Sequence, residues 1–175
     1  MACNSLSQSY QRGCDNNLAS GVRSFALRNW ERGTTYEQYE NGVISGATDY
    51  SGGTTVVDSF YSIEQRTGVA EYRENLTVNA QYGSRTFVPE IVITFLGQSQ
   101  AVRNIANDIA QGIFDALVEL ESGEWILLEK MEATAGIADP GVGADDPTII
   151  QVTLAGRARQ YADTVTTGTA LSFIA

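Results

Sequence analysis

Alternating apolar and polar side chains predict a half-buried β-strand within residues 69–80 of this chain. The last six positions alternate without a break: Asn75, Leu76, Thr77, Val78, Asn79 and Ala80. Residues 81–84 have the composition of a turn, and a second run over 85–96 carries apolar side chains on one face. The pattern therefore predicts a long antiparallel hairpin over 69–96. Pro89 has no N–H to donate, so we expect it at a sheet edge or a bulge.

Shorter runs of the same kind predict further strands. These strands are predicted over 22–29, 148–159 and 170–174, and a second hairpin is predicted over 114–130. The turn of the second hairpin falls at Ser122-Gly123, and the strand over 148–159 turns Ile150, Val152 and Leu154 inward. Two stretches have the composition of loops, 46–53 and 131–147.

One amphipathic helix is predicted near the middle of the chain. Ser99 is a suitable N-cap, and Gly112 is a suitable stop at the C-terminal end. Between them, apolar residues recur at helical spacing: Val102, Ile105, Ala106 and Ile109. The elements together predict a mainly β fold, an antiparallel β-sandwich or half-barrel flanked by this one helix.

The chain divides into a polar arm and one domain. Residues 1–21 are rich in Asn, Ser and Gln and contain little that could form a core, so they are expected to be an extended arm. Residues 22–175 are expected to form a single domain with long loops. Cys3 and Cys14 both lie in the arm, and they are either one local disulfide or two free thiols.

Composition removes several classes of chemistry. The 175 residues contain no histidine and one lysine, Lys130, so a catalytic triad, a histidine metal site and most lysine chemistry are not expected. With 21 acidic and 11 basic residues the net charge is −10, which disfavours wrapping nucleic acid. No apolar run is long enough to span a membrane, and no signal peptide is expected. We therefore expect no catalytic residues, no cofactor, no metal and no membrane partner.

Nine of the acidic residues are concentrated within residues 115–146, beside Lys130. A carboxylate cluster for metal or acid–base chemistry is one interpretation, and the solvated faces of a hairpin and a loop are the other, which we prefer. Asp139, Asp145 and Asp146 lie among glycines, but their spacing does not fit the EF-hand pattern.

The strand over 69–80 has one uniformly polar face. Five alternate positions contribute to it: Glu71, Arg73, Asn75, Thr77 and Asn79. Glu71 and Arg73 could form a catalytic pair, but an exposed sheet face is the simpler interpretation. Because burying unpaired polar groups costs about 1–3 kcal/mol each, this face must meet water or another polar surface. The water could be bulk solvent around a monomer or a channel through a ring of subunits.

The order of these pieces resembles that of the tail tube (major tail) proteins of tailed bacteriophages. The resemblance covers most of residues 20–158. The segments that carry it are Val22-Arg23-Ser24-Phe25, the run from Gly68 to Thr77, Ile91-Val92-Ile93-Thr94-Phe95, Ala101-Val102-Arg103-Asn104, Ala110-Gln111-Gly112, Ala116-Leu117-Val118-Glu119, Trp125-Ile126-Leu127-Leu128 and the run from Met131 to Gly136.

The resemblance implies a structural virion protein. Its subunits would form rings, usually hexameric, that stack into a hollow tube for DNA ejection. The hairpin over 69–96 would line the tube, with Glu71, Arg73, Asn75, Thr77 and Asn79 facing the lumen. Residues 1–21 and 34–58 would bridge successive rings. Other tail proteins (tape measure, terminator, and baseplate or sheath) would be partners, and viral DNA would pass without specific binding, repelled by an acidic wall. The protein would be assembled in the host cytoplasm and reside in the phage tail.

Two other functions remain open at this point. A tail terminator, neck or capsid accessory protein of similar fold would form a closed oligomer that never extends. A β-sandwich that binds a small ligand would be a monomer with an aromatic groove. That groove would be formed by four tyrosines: Tyr36, Tyr39, Tyr50 and Tyr61.

Overall fold

Ten strands and two helices make up the part of the chain that the computed structural model describes, which is residues 21–38, 43–48, 60–65, 69–141 and 148–174. The strands are β1 (Val22–Asn29), β2 (Thr35–Gln38), β3 (Ile44–Thr48), β4 (Tyr61–Glu64), β5 (Glu71–Asn79), β6 (Ser84–Leu96), β7 (Ile113–Leu120), β8 (Trp125–Asp139), β9 (Ile149–Ala155) and β10 (Asp163–Val165). The helices are α1 (Gln100–Gln111), which precedes β7, and α2 (Thr167–Phe173), which follows β10. The mainly β fold predicted from the sequence is confirmed.

One hydrogen-bonded sheet contains these ten strands, and β8 divides it into two layers. The first half of β8 pairs with β10 on one side and with β7 on the other. The resulting strand order is β2-β3-β10-β8-β7-β1-β4, and we call this set layer A. The second half of β8 pairs with β9, β9 with β6 and β6 with β5, and we call this set layer B. Among these named strands, all pairings are antiparallel except that of β10 with β3.

β8 changes layers at Lys130, where the backbone φ is 53°. A positive φ is uncommon for a residue with a side chain and requires support from its surroundings. That support comes from Asp115 of β7, whose Oδ1 accepts a hydrogen bond of 3.0 Å from the Lys130 N–H. The β7–β8 register also shifts at this point, between Phe114 and Ala116. The Asp115 carboxylate therefore fixes the place where the sheet folds over.

Two apolar cores lie on the two faces of layer A. The larger core fills the space between the layers and under α1, and its biggest members are Phe25, Ile91, Ile93, Phe114, Leu128, Met131 and Leu154. The smaller core lies on the other face, where α2 covers the sheet, and it contains Ala26, Ile44, Phe60, Leu117, Trp125, Leu127, Val165 and Ala170. The central strands of layer A, which are β1, β7 and the first half of β8, are thus buried on both faces and form the centre of the fold.

Several predicted elements are confirmed. β1 occupies the predicted 22–29, both predicted hairpins form, and β9 buries Ile150, Val152 and Leu154 as expected. The Ser99 hydroxyl caps α1 by accepting a hydrogen bond of 3.4 Å from the Val102 N–H. These elements share strong local periodicity, which is the signal that sequence carries best.

Other predictions are wrong. Residues 131–139 are not a loop but the second half of β8, and β3 extends to Thr48 within the predicted loop 46–53. Residues 170–174 do not form a strand, because 167–173 form α2, a second helix. A short apolar run fits either state, and here the Thr166 hydroxyl caps a helix that turns Ala170, Phe173 and Ile174 onto the smaller core. β9 is also shorter than predicted and ends at Ala155.

Pro89 lies at neither an edge strand nor a bulge. It is buried within β6, opposite Glu74 of β5. Its carbonyl accepts a hydrogen bond of 3.0 Å from the Gly156 N–H, one residue past the end of β9. Backbone pairing continues beyond this point, because Phe87 and Ala158 exchange two hydrogen bonds of 3.1 and 2.8 Å. The missing N–H of Pro89 therefore leaves this pairing one hydrogen bond short.

Candidate functional site

The hairpin of β5 and β6 extends beyond the body of the fold. β5 pairs with β6 along its whole length, from Glu71 to Asn79, but β9 supports β6 only from Glu90 to Leu96. Every residue from 75 to 85 is exposed. We call residues 75–85 the hairpin tip. Within the described residues, no third strand pairs with the hairpin tip.

The five residues predicted to form a polar face lie together as expected. Glu71, Arg73, Asn75, Thr77 and Asn79 are all exposed and occupy alternate positions of β5. Arg73 forms an ion pair across the hairpin with Glu90, so it does not act as the partner of Glu71. With one acidic residue, Glu71, and one basic residue, Arg73, the side chains of this face carry no net charge. The local arrangement therefore does not supply the acidic wall that the total charge suggested.

The end of the hairpin is shaped by a side chain of this polar face. Asn79 Oδ1 accepts hydrogen bonds from the backbone N–H groups of Gln81, at 3.1 Å, and Tyr82, at 3.3 Å. Gly83 completes the turn with a φ of 65°, a conformation that favours glycine. The tip therefore has a defined conformation although it is surrounded by solvent.

The opposite face of the hairpin tip is apolar, as alternation predicted, but it is exposed, which was not predicted. Leu76 is 44% exposed and Val78 is 55% exposed, where alternation had predicted a half-buried row. Nearer the body the same row faces the larger core, through Tyr72 and the buried Ile91 opposite it. Arg85 lies opposite Val78 and is the one charged residue of this face within the tip. The core-facing row thus continues past the end of the core.

The base of the hairpin is held firmly. Glu74 accepts a hydrogen bond from the Tyr72 hydroxyl and another, at 2.9 Å, from the Ala162 N–H. Burial and the adjacent Glu74 carboxylate raise the pKa of the Tyr72 hydroxyl. Phe87 and Tyr161 pack edge to face, with ring centroids 4.5 Å apart. The segment after β9 therefore clamps the base, and the tip projects from a rigid support.

A second surface feature lies at the other end of β6. It is a groove of about 540 Å³ between β4, the end of β1 and helix α1, and we call it the apolar groove. Its apolar lining is Leu27, Ile63, Phe95, Ile105, Ile109 and Phe114, and its polar lining includes Asn29, Tyr61, Ser62 and Asp108. Ile105 is 48% exposed, although its helical spacing had predicted a core position. Periodicity alone could not have found this groove, because four strands and a helix contribute to it.

The predicted tyrosine groove is not formed by the tyrosines that the structure describes. Tyr61 lines the apolar groove, whereas Tyr36 lies in the smaller core and donates its hydroxyl to Asp115 Oδ2 at 2.7 Å. Tyr39 and Tyr50 lie outside the described residues. Burial, and then the Asp115 carboxylate, raises the pKa of the Tyr36 hydroxyl.

A buried polar cluster surrounds Asp115. Arg28 is 2% exposed and donates to Asp115 Oδ2 at 3.2 Å and to the Thr34 hydroxyl at 2.8 Å. The guanidinium lies between the rings of Tyr36 and Phe60, 5.9 and 5.8 Å from their centroids. Because the cluster is closed to solvent and its carboxylate already accepts three hydrogen bonds, it is suited to fixing the fold rather than to chemistry.

The acidic residues of 115–146 do not form one site within the described residues. Asp115 is buried in its ion pair, and Glu119 accepts hydrogen bonds from Ser24, at 2.7 Å, and Arg23, at 3.3 Å. Burial, Asp115 and Asp163 together raise the pKa of the Glu129 carboxyl. Asp145 and Asp146 lie outside the described residues, as do Cys3 and Cys14.

The described residues offer no group of three or more histidine, cysteine or acidic side chains close enough to hold a metal ion. The two described helices are both too short and too polar to cross a membrane. No family model matches the chain, and no curated protein matches it significantly. The exposed hairpin tip and the apolar groove are therefore the features of this chain that point to a function.

Proposed function

We propose that this chain is a structural subunit that assembles with copies of itself, as the tail tube proteins of tailed bacteriophages do. The observation that carries the proposal is the hairpin tip, which is exposed on both faces and has an apolar row on one of them. A two-stranded hairpin is marginally stable in water, and an unpaired edge strand is a template for pairing with another chain. A neighbouring copy would supply both the missing strand and the missing apolar contact.

The two faces of the hairpin fit the two environments of a tube wall. The polar face of Glu71, Arg73, Asn75, Thr77 and Asn79 would meet the water of the channel, and the apolar face would meet protein. The one cation of the polar face, Arg73, is already paired with Glu90. Phosphate groups would therefore find no free cation on this face, and DNA would pass without binding to it.

In the assembled tail, this chain would contact copies of itself in neighbouring rings and other tail proteins. Stacked rings, which we expect to be hexameric, would contact one another through residues 1–21 and 34–58, most of which lie outside the described residues. Tape measure, terminator, and baseplate or sheath proteins would meet the ends and surface of the tube. The assembled protein would reside in the phage tail.

Electron microscopy of the purified protein over a range of concentrations tests the proposal. We expect hollow rings or tubes. Closed rings that never extend would instead favour a terminator or neck protein. A monomer at every concentration would overturn the proposal and favour a ligand-binding module.

A shortened hairpin makes the test specific. Deleting residues 77, 78, 85 and 86 removes two cross-strand pairs and leaves the Asn79 turn and the inward–outward alternation unchanged. We expect this variant to fold with the circular dichroism spectrum of the unmodified protein but to form no tubes. Tubes of normal length from the shortened variant would show that the hairpin tip is not needed.

A further inference from the structure

The hairpin tip and the apolar groove lie at opposite ends of one strand. Ser84 begins β6 at the tip, and Phe95, near the other end of β6, lines the groove. At about 3.3 Å per residue, the eleven residue steps from Ser84 to Phe95 separate the two features by roughly 36 Å. The base of the hairpin is also clamped by Glu74 and Tyr161, so the tip cannot fold back. The tip of one molecule can therefore reach only the groove of another.

The two surfaces are complementary in chemistry. The apolar face of the tip presents Leu76 and Val78 with a single cation, Arg85, and the groove presents an apolar lining with a single anion, Asp108. Within the described residues, the side chains of Arg85 and Asp108 make no ion pair with any other group. Opposite charges placed at the rim of an apolar contact fix its orientation and disfavour other partners.

We propose that the hairpin tip of one copy docks into the apolar groove of a second copy, with Leu76 and Val78 covered by the groove and Arg85 paired with Asp108. The contact rests on the self-assembly proposed above and names the surfaces that perform it. It joins two different patches, so each copy uses its tip toward one neighbour and its groove toward another. A head-to-tail contact of this kind closes into a ring or continues as a stack, depending on the rotation between copies.

Mixing two exposed-residue variants tests this directly. Val78→Glu puts a charge on the tip's apolar face, and Ile105→Glu puts a charge in the groove, while each variant keeps its other surface intact. A matched control is Leu171→Glu, a residue 59% exposed on α2 and outside both surfaces. Sedimentation velocity and light scattering measure the mass of each sample.

We expect the unmodified protein and the Leu171→Glu control to assemble alike. Each of the other two variants alone should need about tenfold or more higher concentration to assemble. An equimolar mixture of the two should form a species of two chains and stop there, because only one intact tip and one intact groove remain per pair.

Exchanging the charges checks the orientation. Arg85→Asp and Asp108→Arg should each weaken assembly, and the two changes in one chain should restore it. If Ile105→Glu assembles like the control, or if the mixture yields no two-chain species, docking is overturned while self-assembly stands. If the unmodified protein remains a monomer at all concentrations, self-assembly and docking are both overturned.

Discussion

Arg28 and Asp115 illustrate how single residues set the shape of this molecule. Both side chains are almost fully enclosed, and taking two charges out of water costs several kcal/mol per ion before their attraction offsets it. Within the described residues, Arg28 Nε lacks a hydrogen-bond partner, which adds to that cost. The pair therefore contributes specificity more than stability, because its carboxylate holds the Lys130 bend through which β8 joins the layers.

Replacing one partner of this pair should be costly. We expect Asp115→Ala to lower the free energy of unfolding by about 3–5 kcal/mol, because it leaves the Arg28 guanidinium buried without a counter-charge. Urea unfolding measures the change. The double variant Arg28→Leu with Asp115→Asn should lose less than the sum of the two single changes. Strict additivity would show that the two residues do not act as a pair.

The end of helix α1 shows how an element is set by its neighbours. Gly112 follows the helix with a φ of −92°, so no left-handed conformation requires glycine here. Glycine is required here for steric reasons, because a Cβ at this position would overlap the ring of Phe114. The close approach of the helix end to β7 shapes one wall of the apolar groove.

A methyl group at Gly112 should therefore disturb the core. We expect Gly112→Ala to lower the free energy of unfolding by about 1–3 kcal/mol, because the Phe114 ring must move away. Gly168→Ala is the matched control, since nothing lies near its Cβ position and it lies within α2, where alanine favours the helix by roughly 0.5–1 kcal/mol. Thermal or urea unfolding of both variants gives the comparison. Equal effects at the two positions would contradict the steric explanation.

Elements with local periodicity were predictable, and those fixed by distant partners were not. β1, both hairpins and α1 follow from alternation or helical spacing. The second half of β8 could not be predicted in this way, because its larger side chains, such as Thr134 and Ile137, are exposed and are separated by small residues. These residues form a strand because they pair with β9.

The candidate site divides in the same way. The polar face of β5 could be predicted, since alternation identifies which residues share a face. The exposure of Leu76 and Val78 could not, because a sequence pattern gives the spacing of apolar residues and not what covers them. The apolar groove needed residues from β1, β4, β6, β7 and α1 to be placed together.

At the scale of the whole molecule, charge opposes assembly. Each copy carries a net charge of −10, so neighbouring copies repel one another through solvent. Raising the salt concentration from about 50 mM to about 0.5 M shortens the screening length to a few ångströms. We expect the concentration needed for assembly to fall over this range, as measured by light scattering. A rise would mean that attraction between local charges such as Arg85 and Asp108 outweighs the overall repulsion.

The bend in β8 has a consequence for how the chain folds. Because one strand belongs to both layers, neither layer can be completed without the other, and unfolding should be a single cooperative transition. The pairing of Val22 with Leu120 joins residues far apart in sequence, and such non-local contacts form slowly. A partly folded chain would therefore lack the clamped hairpin base and the groove together, so newly made subunits would become competent to join their neighbours only once folding is complete.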